Sequence, residues 1–378
     1  MGGLRPLALV LLLGVVAGEV RAGPLRFCTA RELRLLNDEL CGHLCDFTFN
    51  HGVDRRFYSP ALDSKRDLYV YLPPGYDPSL RYPIVIWLHG YRQDEKNFLD
   101  IVTYFDRAMA CGRLPPFLIA APDGSVRGRP TFFTAGSFYV NSNAGRFEDY
   151  IAQDVWGFVT CRFPVRPERE AHALAGASMG GFGAYNLGIK YRDRFGLLAG
   201  IHPPLHLRYL DCRGRYFANF DPGCLGIREQ YQPLAPVGRF LGGVITIRQW
   251  QLMTPLYGGV PDPIPLIARE NPLEMLDLYQ VMPGELQMYV GYGTQDQFNI
   301  DAQVESFVHF ARRRGLEIMV HKVPGGKHDF DTGVALFPSL RDWLAPRLAP
   351  YSPAARPAAP AGLPPALGGA DCRSPAGD

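Results

Sequence analysis

Ser178 lies in the run Gly176-Ala177-Ser178-Met179-Gly180, one residue away from a glycine on either side. A serine hydroxyl is a weak nucleophile until a base removes its proton and a carboxylate orients that base. A sharp turn from a strand into a helix lifts such an oxygen above a sheet, and it crowds the backbone two residues before and two after. Gly176 and Gly180 satisfy that crowding, while Gly181 and Gly183 allow the next helix to approach the sheet closely. With 41 glycines in the chain the pattern also arises by chance, so its neighbours carry the argument. An apolar strand-like run, AHALAGA (171–177), precedes Ser178, and a helical pattern from Met179 to about Tyr191 follows it.

A nucleophile on such a turn requires a carboxylate and then a histidine, each just beyond a later strand. Asp296 follows LQMYVGYG (286–293), and His328 follows LEIMVHKV (316–323) in the loop Pro324-Gly325-Gly326-Lys327-His328-Asp329. Ser178 as nucleophile, His328 as base and Asp296 as its orienting partner form the candidate catalytic set. His321 falls within a strand and His309 within a helix, where packing or solvent exposure is the ordinary role. Asp301 begins DAQVESFVHFARRR and reads as a helix cap. Asp329 adjoins His328, and side chains of neighbouring loop residues diverge. The oxyanion formed during attack needs two backbone N–H donors. Met179, opening the helix after Ser178, supplies one; Tyr91, after Leu88-His89-Gly90, supplies the other. His89 reads as a residue that fixes this loop through hydrogen bonds.

The elements that position these residues alternate along the chain. Strand-like runs occur at 66–76, 83–90, 116–124, 171–177, 197–201, 286–293 and 316–323; helical patterns occur at 97–109, 147–163, 179–191, 301–313 and 333–346. Buried strands alternating with helices predict an α/β fold with a mainly parallel sheet covered on both faces. The proline-rich stretch from about 203 to 283 breaks that rhythm and reads as a lid-like insertion over the sheet edge. The rings in Pro130-Thr131-Phe132-Phe133, with Phe138 and Tyr139, either line an acyl or phenolic pocket or pack beneath the loop.

The chain has 378 residues, 47% hydrophobic and 20% charged, as expected of a globular protein. A net charge of +2 with no basic run gives no sign of a nucleic-acid partner. Arg5, the apolar run Leu7–Ala17 and Val20-Arg21-Ala22 form the pattern of a signal peptide over 1–22, and the run is too short for a membrane span. The alternative is a buried N-terminal helix or anchor. Residues 23–351 are then the folded domain, with 352–378, rich in Pro, Ala and Gly, a disordered tail. The expected location is secreted or periplasmic. Eight cysteines (28, 41, 45, 111, 161, 212, 224 and 372) suit an oxidising compartment. Cys212 and Cys224, separated by a short Gly- and Asp-containing loop, form the expected disulfide, whereas Cys41 and Cys45 read as helix neighbours unable to bridge each other. No CxxC or paired CxxC/HxxxH spacing points to a metal, and no cofactor is implied.

Several segments together, GYDPSLRYPIVIWLHGY, FYVNSNAGRFEDYIAQDV, AGASMGGFGA, GTQDQFN and PGGKHDF, resemble the putative-esterase family of α/β hydrolases. That family includes esterase D, feruloyl esterases and the secreted mycolyltransferase antigens of mycobacteria. The resemblance covers about 66–202 and 284–345, and it implies the α/β-hydrolase fold with Ser178, Asp296 and His328 as triad and Tyr91 and Met179 as oxyanion amides. The chain departs from the family where Phe330 stands in place of a frequent tryptophan, and its 203–283 insertion matches nothing in the pattern. The resulting expectation is a serine hydrolase that cleaves a carboxylic ester through an acyl-enzyme. Acyl transfer to a sugar or other alcohol, and a non-catalytic extracellular binding domain on the same scaffold, are the alternatives.

Overall fold

The computed structural model describes residues 29–129 and 136–353. The expected signal peptide, the tail beyond 353, Cys28, Cys372 and the rings of Phe132 and Phe133 lie outside the described residues. Helix α1 (Ala30–Glu39) is started by Thr29, whose hydroxyl accepts from the Glu32 amide while the Glu32 carboxylate accepts from the Thr29 amide. Strand β1 (His43–Phe47) follows and is short and mixed in polarity, so the sequence gives it no periodic signature. This corrects the reading of Cys41 and Cys45 as helix neighbours: the helix ends at Glu39, Cys41 lies in the turn beyond it, and Cys45 belongs to β1. Among the described residues both thiols are unpaired, as is Cys111.

Strands β2 (Leu68–Leu72), β3 (Ile84–Leu88), β4 (Leu118–Pro122), β5 (His172–Ala177), β6 (Leu197–Ile201), β7 (Gln287–Gly293) and β8 (Ile318–Val323) join β1 in one eight-stranded sheet. Its order is β1-β2-β4-β3-β5-β6-β7-β8. β2 runs antiparallel to both β1 and β4, and every pair from β4 to β8 is parallel. Parallel strands need crossovers, and here helices supply them. These are α2 (Asn97–Ala110), the helical run α3 (Phe147–Asp149, Tyr150–Val155 and Trp156–Arg162, its middle section a π-helix) and α4 (Met179–Lys190). Helices α5 (Gln249–Tyr257), α6 (Ile264–Arg269), α7 (Pro272–Leu278), α8 (Ile300–Arg313) and α9 (Phe330–Leu348) complete the set used here.

Strand alternation sorts the core into two layers. Ile84, Ile86 and Leu88 of β3 join Leu174, Leu198 and Val290 beneath α4 and α8. Val85 and Trp87 point the other way, joining Ala173, Leu197 and Tyr289 under α2 and α9. Because both faces are covered, all five β3 residues are buried, which is why that strand reads as a continuous apolar run.

The segment between β6 and β7 is more structured than the sequence suggested. It contains the hairpin Tyr209–Asp211/Leu225–Ile227, whose loop is closed by the Cys212–Cys224 disulfide, and the hairpin Pro236–Phe240/Ile245–Arg248. Its helices α6 and α7 are not peripheral: Ile264, Ile267, Met275 and Leu276 are buried in the same layer as α4. Lys190 at the end of α4 bonds both Glu148 and Glu270, each at 2.6 Å, clamping α3 and the insertion to one helix.

Candidate active site

Ser178, Asp296 and His328 meet at the carboxyl ends of the parallel strands, the position where open α/β sheets form their crevices. Ser178 has φ +55° and ψ −118°, a left-handed conformation rare for a residue with a Cβ, and its amide donates to the Ile201 carbonyl at 2.7 Å. The flanking glycines follow from space. A Cβ on Gly180 would lie 1.9 Å from the Leu88 carbonyl oxygen, and one on Gly176 would lie 2.5 Å from the same atom. The turn is thus pressed against the end of β3, and any larger residue would push the Ser178 turn away from it.

The loops after β7 and β8 are laced together. Gln295 N–H donates to the Gly326 carbonyl at 2.9 Å, Gly325 N–H to Thr294 Oγ1 at 2.9 Å and His328 N–H to Gln297 Oε1 at 2.8 Å. These bonds carry the His328 ring to Ser178: His328 Nε2 is 2.8 Å from Ser178 Oγ, and His328 Nδ1 is 2.7 Å from Asp296 Oδ2. Asp296 Oδ1 accepts from the Phe298 amide at 2.8 Å. The Asp296 side chain is fully buried. Burial alone would raise its pKa, but the His328 charge and hydrogen bond, then His202 and the Phe298 amide, outweigh that and hold it below the ordinary carboxylate value. An ionised Asp296 keeps the proton of neutral His328 on Nδ1, so Nε2 faces the serine hydroxyl as an acceptor.

Competing candidates go elsewhere. Asp329 caps α9, accepting from the Thr332 amide at 2.9 Å. Asp301 is not the cap expected from sequence. Asn299, at φ +55°, occupies that position, and Asp301 sits in the first turn, where burial pushes its carboxyl up to about 6. His309 rests against the rings of Phe220 and Phe310 on α8, and His321 lies in β8.

The residues that carry the two amides chosen from sequence are neighbours. Met179 N–H belongs to the first turn of α4 and so lacks a partner within its helix. The β3 loop bearing Tyr91 is pinned: Gly90 N–H donates to Gln93 Oε1 at 2.8 Å, and Tyr139 Oη donates to the His89 carbonyl at 3.0 Å. His89 Nε2 accepts from the Gly124 amide at 2.8 Å, so Nδ1 carries the proton and donates to the Gly90 carbonyl at 2.9 Å. A Cβ on Gly136 would lie 2.4 Å from Met179 Sδ and 2.8 Å from Tyr91 Cδ2, which places those two residues side by side. Tyr139 and Phe138 are buried and pack beneath this loop.

Three neighbours escaped the sequence reading. Gln93 and Gln297 pin loops through side-chain oxygens, a role with no local signature. Phe298, within GTQDQFN, sets its ring 4.9 Å from that of His328 and 5.3 Å from Phe240 of the 236–248 hairpin. Arg239 N–H of that hairpin donates to the Gln297 carbonyl at 2.9 Å. The hairpin is therefore fixed against the loop that carries Asp296, whose Phe298 in turn meets the His328 ring.

Two groups bring metal-type donor atoms within 4.8 Å of one another: His202–Asp296–His328 and Asp67–Glu95–Asp123. In the second, burial and then the charges of Asp123 and Asp94 push Glu95 well above its ordinary value. Arg66 pairs with Asp123 at 2.8 Å.

Residues 59–345 match the family model described as "Putative esterase". The chain belongs to that family. An esterase of Mycobacterium tuberculosis is 26% identical over 312 residues, which are 79% of this chain and 59% of that relative. The chain thus spans about three fifths of the relative's length. Among solved structures, a ferulic acid esterase superposes with a TM-score of 0.59 at 17% identity, covering 82% of this chain and all of that one. The S-formylglutathione hydrolase of Agrobacterium tumefaciens gives 0.58 at 16% identity, over 82% and 96% of the two chains. Both share the α/β-hydrolase fold seen here.

Proposed function

We propose that this protein is a serine hydrolase that cleaves a carboxylic ester through an acyl-enzyme, with Ser178 as nucleophile, His328 as general base and acid, and Asp296 as the carboxylate that orients His328. The observation that carries this reading is the continuous chain Ser178 Oγ to His328 Nε2 at 2.8 Å and His328 Nδ1 to Asp296 Oδ2 at 2.7 Å. As Oγ attacks the ester carbonyl, its proton passes to Nε2, and the imidazolium is stabilised by Asp296. The carbonyl electrons collect on an oxygen held by the Tyr91 and Met179 amides. Collapse expels the alcohol, which takes the proton from Nε2. Water then repeats the cycle in reverse, giving the carboxylic acid and freeing Oγ.

The apolar run Leu7–Ala17 and the Cys212–Cys224 disulfide support export of the chain to an oxidising compartment. Among the described residues no helix is long and apolar enough to cross a membrane. The non-reacting part of the ester lies under the 236–248 hairpin, which sets substrate choice.

A fluorophosphonate probe and a p-nitrophenyl acetate assay test the mechanism together. Wild-type protein takes up one equivalent of probe at Ser178 and hydrolyses the ester; S178A does neither and melts at the wild-type temperature. Covalent labelling of S178A at the wild-type rate excludes Ser178 as the nucleophile. Replacing the hairpin tip 241–244 with a two-residue turn, then comparing acetyl, longer acyl and feruloyl esters, tests the roof. An unchanged order of preference overturns that part.

A further inference from the structure

His202 follows β6 directly and is buried beside the proposed triad, yet nothing in the preceding mechanism uses it. Its Nδ1 is 3.7 Å from Asp296 Oδ2, the same oxygen that bonds His328, and its ring centre is 5.2 Å from that of His328. Among the described residues neither ring nitrogen has a hydrogen-bond partner, although the residue is only 4% exposed. Buried polar atoms without partners are uncommon in folded proteins, so the arrangement calls for a cause.

The backbone shows that the position is imposed. His202 has φ +47°, a left-handed conformation that a residue with a Cβ adopts only when its surroundings hold it there. Its amide donates to the Gly291 carbonyl at 2.8 Å, while the preceding carbonyl, that of Ile201, accepts from Ser178. Pro203 locks the far side: a Cβ on Gly181 would lie 3.0 Å from Pro203 Cβ, and one on Gly200 would lie 2.7 Å from Pro203 Cγ. Two left-handed residues of the site, Ser178 and His202, are therefore tied through one hydrogen bond from Ser178 to the carbonyl just before His202, and the ring of His202 lies beside the carboxylate of Asp296.

We infer that His202 is a positioning residue: its Nδ1–H faces Asp296 Oδ2 and holds that carboxylate ionised and oriented toward His328. The inference rests on the triad reading given above. At 3.7 Å the contact is a charge–dipole interaction, longer than a hydrogen bond, and in a site without bulk solvent such a dipole retains much of its strength. The charged and titratable groups facing His202 are His328, Asp296 and Asp329. Burial first, then the His328 charge, lowers His202 to about 4, against the pull of Asp296 and Asp329. It stays neutral at neutral pH and places no second positive charge beside the imidazolium formed on His328. With the carboxylate as the nearest polar group, the ring proton sits on Nδ1.

A ring that only filled space would behave differently, and three substitutions separate the two roles. His202→Asn puts an amide N–H where Nδ1 stands and tolerates positive φ better than most residues. His202→Phe keeps the ring against His328 and removes the donor. His202→Gln moves the donor toward the Nε2 position. Loss of the N–H leaves the Asp296 charge less neutralised, so Asp296 holds the proton on His328 more tightly and the basic form of His328 appears at higher pH.

The expected result for H202F is kcat lower by about tenfold with KM little changed, and an acid limb of the kcat/KM profile displaced upward by about half a pH unit. H202Q follows H202F, and H202N retains kcat within about threefold with the wild-type limb. If the phenylalanine variant does not fold, the asparagine and glutamine variants carry the comparison. Wild-type kcat and pH profile in H202F, or a loss in H202N as large as in H202F and H202Q, overturns the inference. A wild-type protein that neither hydrolyses esters nor reacts with fluorophosphonate at Ser178 strikes the triad reading instead.

Discussion

Around Ser178 each turn is tied to a strand end: Ser178 to Ile201, His202 to Gly291, Thr294 to Val323, and Gly180 pressed on Leu88. The 236–248 hairpin above it is held differently. It meets this floor through the Arg239–Gln297 backbone bond and the Phe240–Phe298 ring contact, while Leu241 and Val244 at its tip are exposed. The floor is set by hydrogen bonds and steric exclusion, both intolerant of small displacements. The roof rests on one backbone hydrogen bond and on ring packing, and the packing survives sliding. In the function proposed here, reaction chemistry and substrate choice fall to regions with different mechanical tolerance.

The largest effect expected from breaking the floor is that of Asp296→Asn. An amide cannot stabilise the imidazolium and favours the wrong tautomer, a change that costs about ten-thousandfold in a well-studied serine protease. Rates with p-nitrophenyl acetate should fall by that order, with the melting temperature nearly unchanged; D296N retaining a tenth of wild-type activity would remove Asp296 from the mechanism. Gly180→Ala tests the steric side. A Cβ placed 1.9 Å from the Leu88 carbonyl forces backbone apart, costing about 2 kcal/mol or more and separating the nucleophile from the β3 loop. Thermal melting and probe labelling should both decline, and a variant with wild-type values of both would show that the contact is not limiting.

Acid sharpens the contrast through buried histidines. Burial, then Arg208, lowers His206 to about 3; burial, then His328, lowers His202 to about 4. For each, the unfolded chain binds a proton near 6.5 that the folded chain refuses. Stability is therefore fully present above about 6.5 and falls as pH drops toward 4, at up to about 1.4 kcal/mol per unit per histidine. Asp301, raised to about 6 by burial, opposes part of this loss between 6 and 4. Urea midpoints measured from pH 7 to 4.5 should decrease, and His206→Asn should flatten the slope. An equal slope in H206N removes His206 as a cause. The smallest effect is expected in the roof: Phe240→Ala should raise KM for a bulky aromatic ester several-fold while leaving acetate-ester turnover within about threefold. Equal changes for both esters would place Phe240 in the floor rather than the roof.

The division also explains what could be read from the chain. The runs 84–88, 172–177 and 197–201 announce themselves because strands buried on both faces are apolar throughout, and Gly176 and Gly180 mark a turn whose crowding is local. The places of Asp296 and His328 were legible because each follows a strand by a few residues, β7 buried almost throughout and β8 only in part. His202 gave no signal: its significance comes from the packing of β6 against β7, which no spacing in the sequence encodes. The roof was illegible for a related reason. Its hairpin strands are short and half-exposed, and helices α6 and α7, read as part of a lid, are buried by contact with α4 far away in sequence.

The sheet order has a consequence for how the molecule fails. β8 pairs on one side with β7, closes the sheet, and carries the loop that ends in His328. Met319 within it is 49% exposed. Marginal strands fray at lower free-energy cost than central ones, so on warming His328, the proposed base, should depart while Ser178, anchored between β5 and β6, should keep its conformation. Activity should then be lost reversibly several degrees below the calorimetric transition, and amide deuteration of 318–323 should outpace that of 172–177 across the same interval. Heat inactivation in this architecture begins as the detachment of one strand, and cooling should restore the enzyme.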